Sequence, residues 1–600
     1  MHSRFFLVVI LAVALCSSAS PIPALAQEPP PEFELPDVVS PARRPQPAAA
    51  SPASVSVLTA ADLQRLGVRT VGEALAYLPE TLARAYGGAG SLITPSIRGS
   101  SAEQVLVLLD GVPLNNVLGG TVDLSTIPVA EVERIEVLRG PFSAIYGSGA
   151  LGGVVSVITR RRGPATVTLG GGSAGAAAFS VSTGGGPRVA LRYEGATGDR
   201  ANSDLRAGWL SLRLGDEQGG RRWDATMFAS LAARGVPGSV LFPTPLARQD
   251  DRRVVVAFSS THSRGPLSDR LRGSLAYDGT DYRDPTFGIS DRHDGSTWSV
   301  EWQRTVRRGP GLVQTWGADG HWQRLSSASV GERSAGVVAA YVQDDRTLRP
   351  RLLLSTGLRA DWHSIWGLQI NPRAGLVYFL RPEVRLRLAV GRTFRGPALA
   401  DLYYPFDGFA RGNPGLRPEQ AWSADAGAEV VVGGLSLRAT AFWSDVRDLI
   451  IWVPDAFFVF SPQNVGAASI WGGSLEADGA MAPGWRVRGS VTIMRARDAA
   501  TGFDLPNRPR VQGTIALTHT WGGGASLTAA AVALGERFAD AANVVKLPAY
   551  VATSLVAHVP ISAEAGLRVV IQNLFDVRYE PLQGYPAPGR SVFVEFNLRR

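Results

Sequence analysis

Val384-Arg385-Leu386-Arg387-Leu388-Ala389-Val390-Gly391-Arg392 alternates between apolar and charged or small residues. Successive side chains of a strand point to opposite faces, so Val384, Leu386, Leu388 and Val390 share one face and Arg385 and Arg387 the other. The same period recurs in both directions along the chain. Val189, Leu191 and Tyr193 oppose Arg188, Arg192 and Glu194. Leu435, Leu437, Ala439, Ala441 and Trp443 oppose Ser436, Arg438 and Thr440. Trp485, Val487, Val491 and Ile493 oppose Arg486, Arg488 and Ser490. Near the end, Val592, Val594, Phe596 and Leu598 oppose Glu595, Asn597 and Arg599.

Such strands suit either a soluble sandwich, whose charged faces meet water, or an outer-membrane barrel, whose apolar faces meet lipid around a wet lumen. Periodicity does not separate the two. Length and count help: residues 163–600 hold on the order of 22 strands, and a single sandwich of that size is rare. A barrel also removes sheet edges by closing. Trp443, Trp485 and Tyr193 suit interfacial girdles.

The chain has 600 residues, 45% hydrophobic and 19% charged, and lacks any run of 18 apolar residues, which excludes a helical membrane protein. Its net charge of +8 is carried by scattered arginines, with Lys546 the single lysine. Arginines at alternate strand positions do not make a nucleic-acid surface, which clusters its charge. Residues 1–26 read as a secretory signal: Arg4, an apolar core from Phe5 to Leu15, and Ala24-Leu25-Ala26 before Gln27. The one cysteine, Cys16, lies inside it, so the mature chain has no disulfides, thiolate metal sites or cysteine nucleophiles. Residues 27–53, rich in Pro and Ala, read as an extended, unpacked linker.

Residues 54–162 read as an α+β domain. Val55-Ser56-Val57-Leu58 is a strand, Thr59 and Thr70 cap two helices, and Pro79 follows the second. Val105 to Leu109, Ile135 to Leu138 and Val154 to Ile158 are further strands.

The motifs are more specific than the pattern. Ile97-Arg98-Gly99, Val107-Leu108-Leu109-Asp110-Gly111-Val112-Pro113-Leu114-Asn115, Val132-Glu133-Arg134-Ile135-Glu136-Val137-Leu138-Arg139-Gly140-Pro141 and Ala144-Ile145-Tyr146-Gly147-Ser148-Gly149 follow one another in the front domain. Phe394-Arg395-Gly396-Pro397, Gly412-Asn413-Pro414-Gly415-Leu416-Arg417-Pro418-Glu419 and Asn573-Leu574-Phe575-Asp576 follow in the rear part. This order resembles the TonB-dependent outer-membrane receptors, with a size nearest the vitamin B12 and small siderophore receptors. The fold implied is an all-β transmembrane barrel of about 22 antiparallel strands, stoppered by the α+β plug. The family commonly finishes on an aromatic residue read by the barrel-assembly machinery; here Phe596 is followed by Asn597-Leu598-Arg599-Arg600.

The resemblance implies a monomeric receptor in the outer membrane that imports a scarce metal chelate, cobalamin or a ferric siderophore. The energy would come through TonB and its inner-membrane complex. The expected TonB box, which would add as a strand to its partner's sheet edge, is Leu35-Pro36-Asp37-Val38-Val39-Ser40-Pro41. By motif position, plug Arg98 and Arg139 would latch onto barrel Asp425 and Glu476, Asp425 standing where the family usually has Glu. The expected ligand site lies between plug apices, with Tyr86, Asn115 and Asn116, and loop aromatics Tyr403, Tyr404, Phe406 and Phe409, and Trp452, Phe457, Phe458 and Phe460.

Other readings are weaker. Asp278, Asp281, Asp284, Asp291 and Asp294 offer carboxylates to a loop Ca²⁺, but Arg283 and Arg292 neutralise part of them and no Ca²⁺-loop spacing is present. A solvated loop is preferred and no cofactor is expected. Gly147-Ser148-Gly149-Ala150-Leu151-Gly152 fits a dinucleotide fingerprint but precedes a β-rich run rather than a helix. Gly171-Gly172-Ser173-Ala174-Gly175 lacks the strand-to-helix elbow of a hydrolase. An outer-membrane hydrolase and a passive porin are the rival readings; no enzyme activity is expected.

Overall fold

The computed structural model describes residues 46–408, 410–455 and 459–600. The expected signal and TonB box lie outside them. From Thr166–Gly172 to Ser591–Arg599 the chain forms a closed barrel of 22 strands, each hydrogen-bonded antiparallel to its neighbours. Closure is made where the last strand pairs with the first, Phe596 opposite Leu169. Closure leaves the barrel sheet without a free edge, which a lipid environment demands.

The side-chain pattern is inverted relative to a soluble protein. Leu191 and Tyr193 are each 49% exposed, whereas Arg188 and Glu194, on the opposite face, are 2% and 6% exposed. Leu386, Leu388 and Val390 point outward in the same way, and Arg387 is buried. An apolar outside with a charged, covered inside selects the membrane barrel over the sandwich. Tight turns such as 219–220, 265–266 and 433–434 close one end, and longer connections such as 396–418 and 573–590 the other. The short-turn end is periplasmic and the long-loop end extracellular.

The bore holds the front domain. Its sheet has the order Ser54–Thr59, Val132–Arg139, Gly153–Thr159, Val105–Leu109, Val112–Pro113. Thr59 caps the helix Ala60–Leu66 in a capping box with Asp62, and Thr70 caps Val71–Leu75. A strand, Gly153–Thr159, follows the glycine-rich 147–152, as expected for turns rather than a nucleotide loop. The hairpin Thr81–Ala85/Ile93–Ile97 carries one apex and the turn after Leu114 the other.

One expectation fails here. Residues 46–53, read as unpacked linker, are bound to the barrel wall. Ala48–Ala50 forms a short 3₁₀ turn, Ala49 packs on Val377 and Phe379, and Ser51, Pro52 and Ala53 are buried. Alanine and proline composition signals an absence of helix or strand, but small side chains also fit a narrow groove. Gly375 makes that groove, since a Cβ there would lie 2.6 Å from Pro52.

Candidate functional site: plug apices and plug–barrel lock

The plug is held to the barrel by buried ion pairs. Arg98, just after the strand Ile93–Ile97, has a left-handed backbone, φ 51°, which turns its side chain out of the plug. Its Nε lies 2.5 Å from Glu80 and its Nη1 donates to Asp425 of the barrel. Its guanidinium also stacks over Phe442, 4.5 Å from the ring centre. Arg139 ends the strand Val132–Arg139 and is fully buried. It donates to Pro79 O at 2.8 Å, to Ser56 Oγ at 2.7 Å and to Glu476 Oε1 at 3.1 Å. Gly140 beside it approaches the barrel closely: a Cβ there would meet Asp425 Oδ2 at 2.3 Å, and its φ is +113°.

The hub of this lock, Glu80, has no sequence signal. It follows Pro79 in a turn, at φ 59°, and sits between Arg98 and Arg139. Burial opposes its ionisation, but the two guanidiniums, helped by hydrogen bonds from Ser474 and Arg98, hold its carboxyl down to about 2. A carboxyl lowered by folding stabilises the folded state above its unfolded value near 4.5 and loses that contribution as the pH falls toward about 2. The plug of detergent-purified receptor should therefore loosen in acid across that window, read as protease sensitivity. A Glu80→Gln variant should show no such acid step. Loosening beginning near pH 7 would contradict the assignment.

Above the lock, the two apices lean to opposite sides. Tyr86 packs edge-on against Tyr585 of loop 573–590, centroids 5.1 Å apart. Leu118 O accepts from Ala400 N at 2.9 Å, tying the second apex to the short helix Leu399–Tyr403. Asn115 is spent inside the plug, its amide bonding Val107 N, Val105 O and Gly120 O. Asn116 holds the same turn through Gly119 N and Thr121 Oγ1. Both shape the apex rather than offering free amides. Tyr403 lies under Arg333, 4.8 Å to its ring centre, and Tyr404 donates to Asp407 and packs edge-on against Trp452. Phe406 is 66% exposed and Phe460 is exposed too; Phe409, Phe457 and Phe458 lie outside the described residues. Pattern reading missed Tyr585, hidden in a C-terminal motif, and Phe242, 80% exposed on loop 236–247.

The aspartate cluster does not converge. Asp278 takes Arg253 at 2.5 Å, Asp281 takes Arg283 at 2.9 Å, and Asp294 takes Arg292 and Tyr277. Asp284 accepts from Thr286 N in its own turn, and Asp291 accepts from Ser329. No group of three or more acidic, His or Cys side chains that could hold a metal occurs among the described residues. Odd and even numbers along one strand lie on opposite faces, so Asp281 could not join Asp278 and Asp284.

Residues 149–574 match the model of the TonB dependent receptor-like β-barrel, and residues 47–154 that of the TonB-dependent receptor plug domain. The chain belongs to the TonB-dependent receptor family. It is an outer-membrane receptor. Similar proteins include the vitamin B12 transporter BtuB of Photobacterium profundum, 26% identical over 580 residues, covering 90% of this chain and 91% of the relative. Among solved structures, the siderophore receptor PirA from Acinetobacter baumannii superposes with a TM-score of 0.79 at 18% identity, covering 91% of this chain and 98% of that one. A mutant of the ferric enterobactin receptor PfeA from Pseudomonas aeruginosa does so with a TM-score of 0.77 at 20% identity, covering 91% and 98%. These structures share the fold.

Proposed function

We propose that this receptor captures cobalamin, or a close corrinoid, at its outer face and imports it into the periplasm with energy delivered by TonB to residues 35–41. The observation that carries the choice of ligand is the charge pairing at the extracellular ends of the strands and in the adjoining loops. Arg248 is bound to Asp204 at 2.6 Å, Arg283 to Asp281 at 2.9 Å, Arg292 to Asp294 at 2.8 Å, Arg417 to Asp448 at 2.6 Å and Arg510 to Asp504 at 2.7 Å. A ferric siderophore with catecholate or carboxylate arms is strongly anionic and calls for unpaired cations. Among the large apolar side chains exposed at this end are Phe242, Phe287, Phe406 and Phe575. Such flat area suits a bulky ligand of low net charge. The resemblance to a vitamin B12 transporter over nearly the whole chain supports the same choice.

Titration of purified receptor with cobalamin and with a panel of ferric siderophores tests it. Cobalamin should bind at least about a hundredfold more tightly than any anionic chelate, a difference of ~2.7 kcal/mol. Saturable binding of a ferric catecholate with no response to cobalamin would overturn the choice of ligand and leave the transport reading intact.

A further inference from the structure

Four adjacent barrel strands carry, at one level above the periplasmic rim, Arg385, Glu429, Arg438 and Glu476. Each stands directly opposite the next in register. All four face the lumen, and all three contacts are made. Arg385 Nε reaches Glu429 Oε2 at 2.8 Å, Arg438 Nε lies 3.2 Å from Glu429 Oε1, and Arg438 Nη1 lies 3.4 Å from Glu476 Oε2. Direct cross-strand pairing of opposite charges stabilises each step. The ends of this row matter more than its middle. At one end Arg385 Nη1 donates to Ala48 O at 3.0 Å, in the wall-bound segment just after the expected TonB box. At the other, Glu476 accepts from Arg139 of the plug lock at 3.1 Å.

We propose that this row relays release of the N-terminal segment to the lock, with Arg385, Glu429 and Arg438 acting as positioning residues for transport. The proposal rests on the TonB-energised reading above. Its direction follows from competition for shared partners. When residues 46–53 are pulled from the wall, Arg385 loses the Ala48 carbonyl and turns more fully to Glu429. Glu429 then holds Arg438 less. Arg438 turns to Glu476 and competes with Arg139, and the plug loses part of its grip. Low solvent access keeps each step from being screened away, since Glu429 and Glu476 are both buried.

The signature is an alternation of sign that simple damage to the wall would not give. Hydrogen exchange of the plug strand Val132–Arg139 in full-length receptor in detergent reads it, without ligand or TonB. Glu429→Gln frees Arg438 to compete for Glu476, so exchange should rise about fivefold, within the range of couplings inside one ion-pair network. Arg438→Met removes the competitor, and Arg385→Met turns Glu429 back to Arg438; both should slow exchange. Removing residues 27–50 should speed exchange in the otherwise native chain and leave it unchanged in an Arg385→Met background. This pair serves if another variant fails to fold, as judged by loss of the heat-modifiable barrel band. Faster exchange in all three point variants, or equal effects of the truncation in both backgrounds, would overturn the relay. If the alternation is absent while uptake still depends on TonB, only the relay falls. If uptake proves independent of TonB, the functional reading falls whatever the exchange rates show.

Discussion

Receptor lacking residues 35–41 will bind its ligand with native affinity and import none of it. The proposed ligand site lies among the extracellular loops and plug apices, while the chain reaches the barrel at Gln46 on the periplasmic floor, where Ala49 packs on Val377 and Phe379. Residue 41 lies about five residues before that anchor. Even fully extended at ~3.5 Å per residue, residue 41 stays within roughly 18 Å of Gln46, and residue 35, eleven residues away, within roughly 40 Å. In the proposed function this segment meets a periplasmic partner by strand addition, where backbone bonds supply the affinity, and the plug fills the bore between the periplasmic end and the apices. Accumulation of labelled cobalamin in cells should fall to background, and surface binding to the same cells should not change. Continued accumulation would remove residues 35–41 from the mechanism.

The second large effect is expected at Glu80. Arg98 and Arg139 each keep one barrel carboxylate when Glu80 is lost, but the group between them, shared by both, disappears. Leaving buried charge under-compensated costs about 3–5 kcal/mol. Glu80→Ala should therefore destabilise the plug in the bore without unfolding the barrel, whose ladder does not include it. Two readouts follow: a lower urea midpoint for plug fluorescence or proteolysis, and entry into cells of a hydrophilic probe too large for porins. The barrel's heat-modifiable mobility should stay native. An unchanged plug midpoint would show that the network carries little of the plug's hold, and that the many other contacts between plug and wall, such as Arg234 with Asp123 and Arg488 with Asp62, suffice.

The barrel was legible because two-residue periodicity is local: which residues share a face follows from numbering alone, as Leu191 and Tyr193 against Arg188 and Glu194 show. That the charged face is the covered one is not local, and it took strand number and motif order to expect it. Arg98 and Arg139 were legible as motif residues. Glu80 was not, because a lone carboxylate after a proline acquires its role only when the hairpin and two distant strands converge on it. Asn115 and Asn116 look like binding groups in sequence, but a polar amide in a tight turn finds its own backbone first. The Asp278 to Asp294 carboxylates are numerous over a short stretch of sequence, yet each takes an arginine, hydroxyl or backbone N–H as its partner. The row Arg385, Glu429, Arg438 and Glu476 spans four strands separated along the chain, and only strand register reveals that the four stand at one level.

Everything depends on a stoppered barrel that moves its ligand only when TonB supplies work. The most direct test is ligand accumulation in matched cells with and without TonB, at an external concentration below the final internal one. Uptake against the gradient that vanishes without TonB, while surface binding persists, is the predicted result. Equal accumulation in both cell types would identify a passive channel and contradict the account.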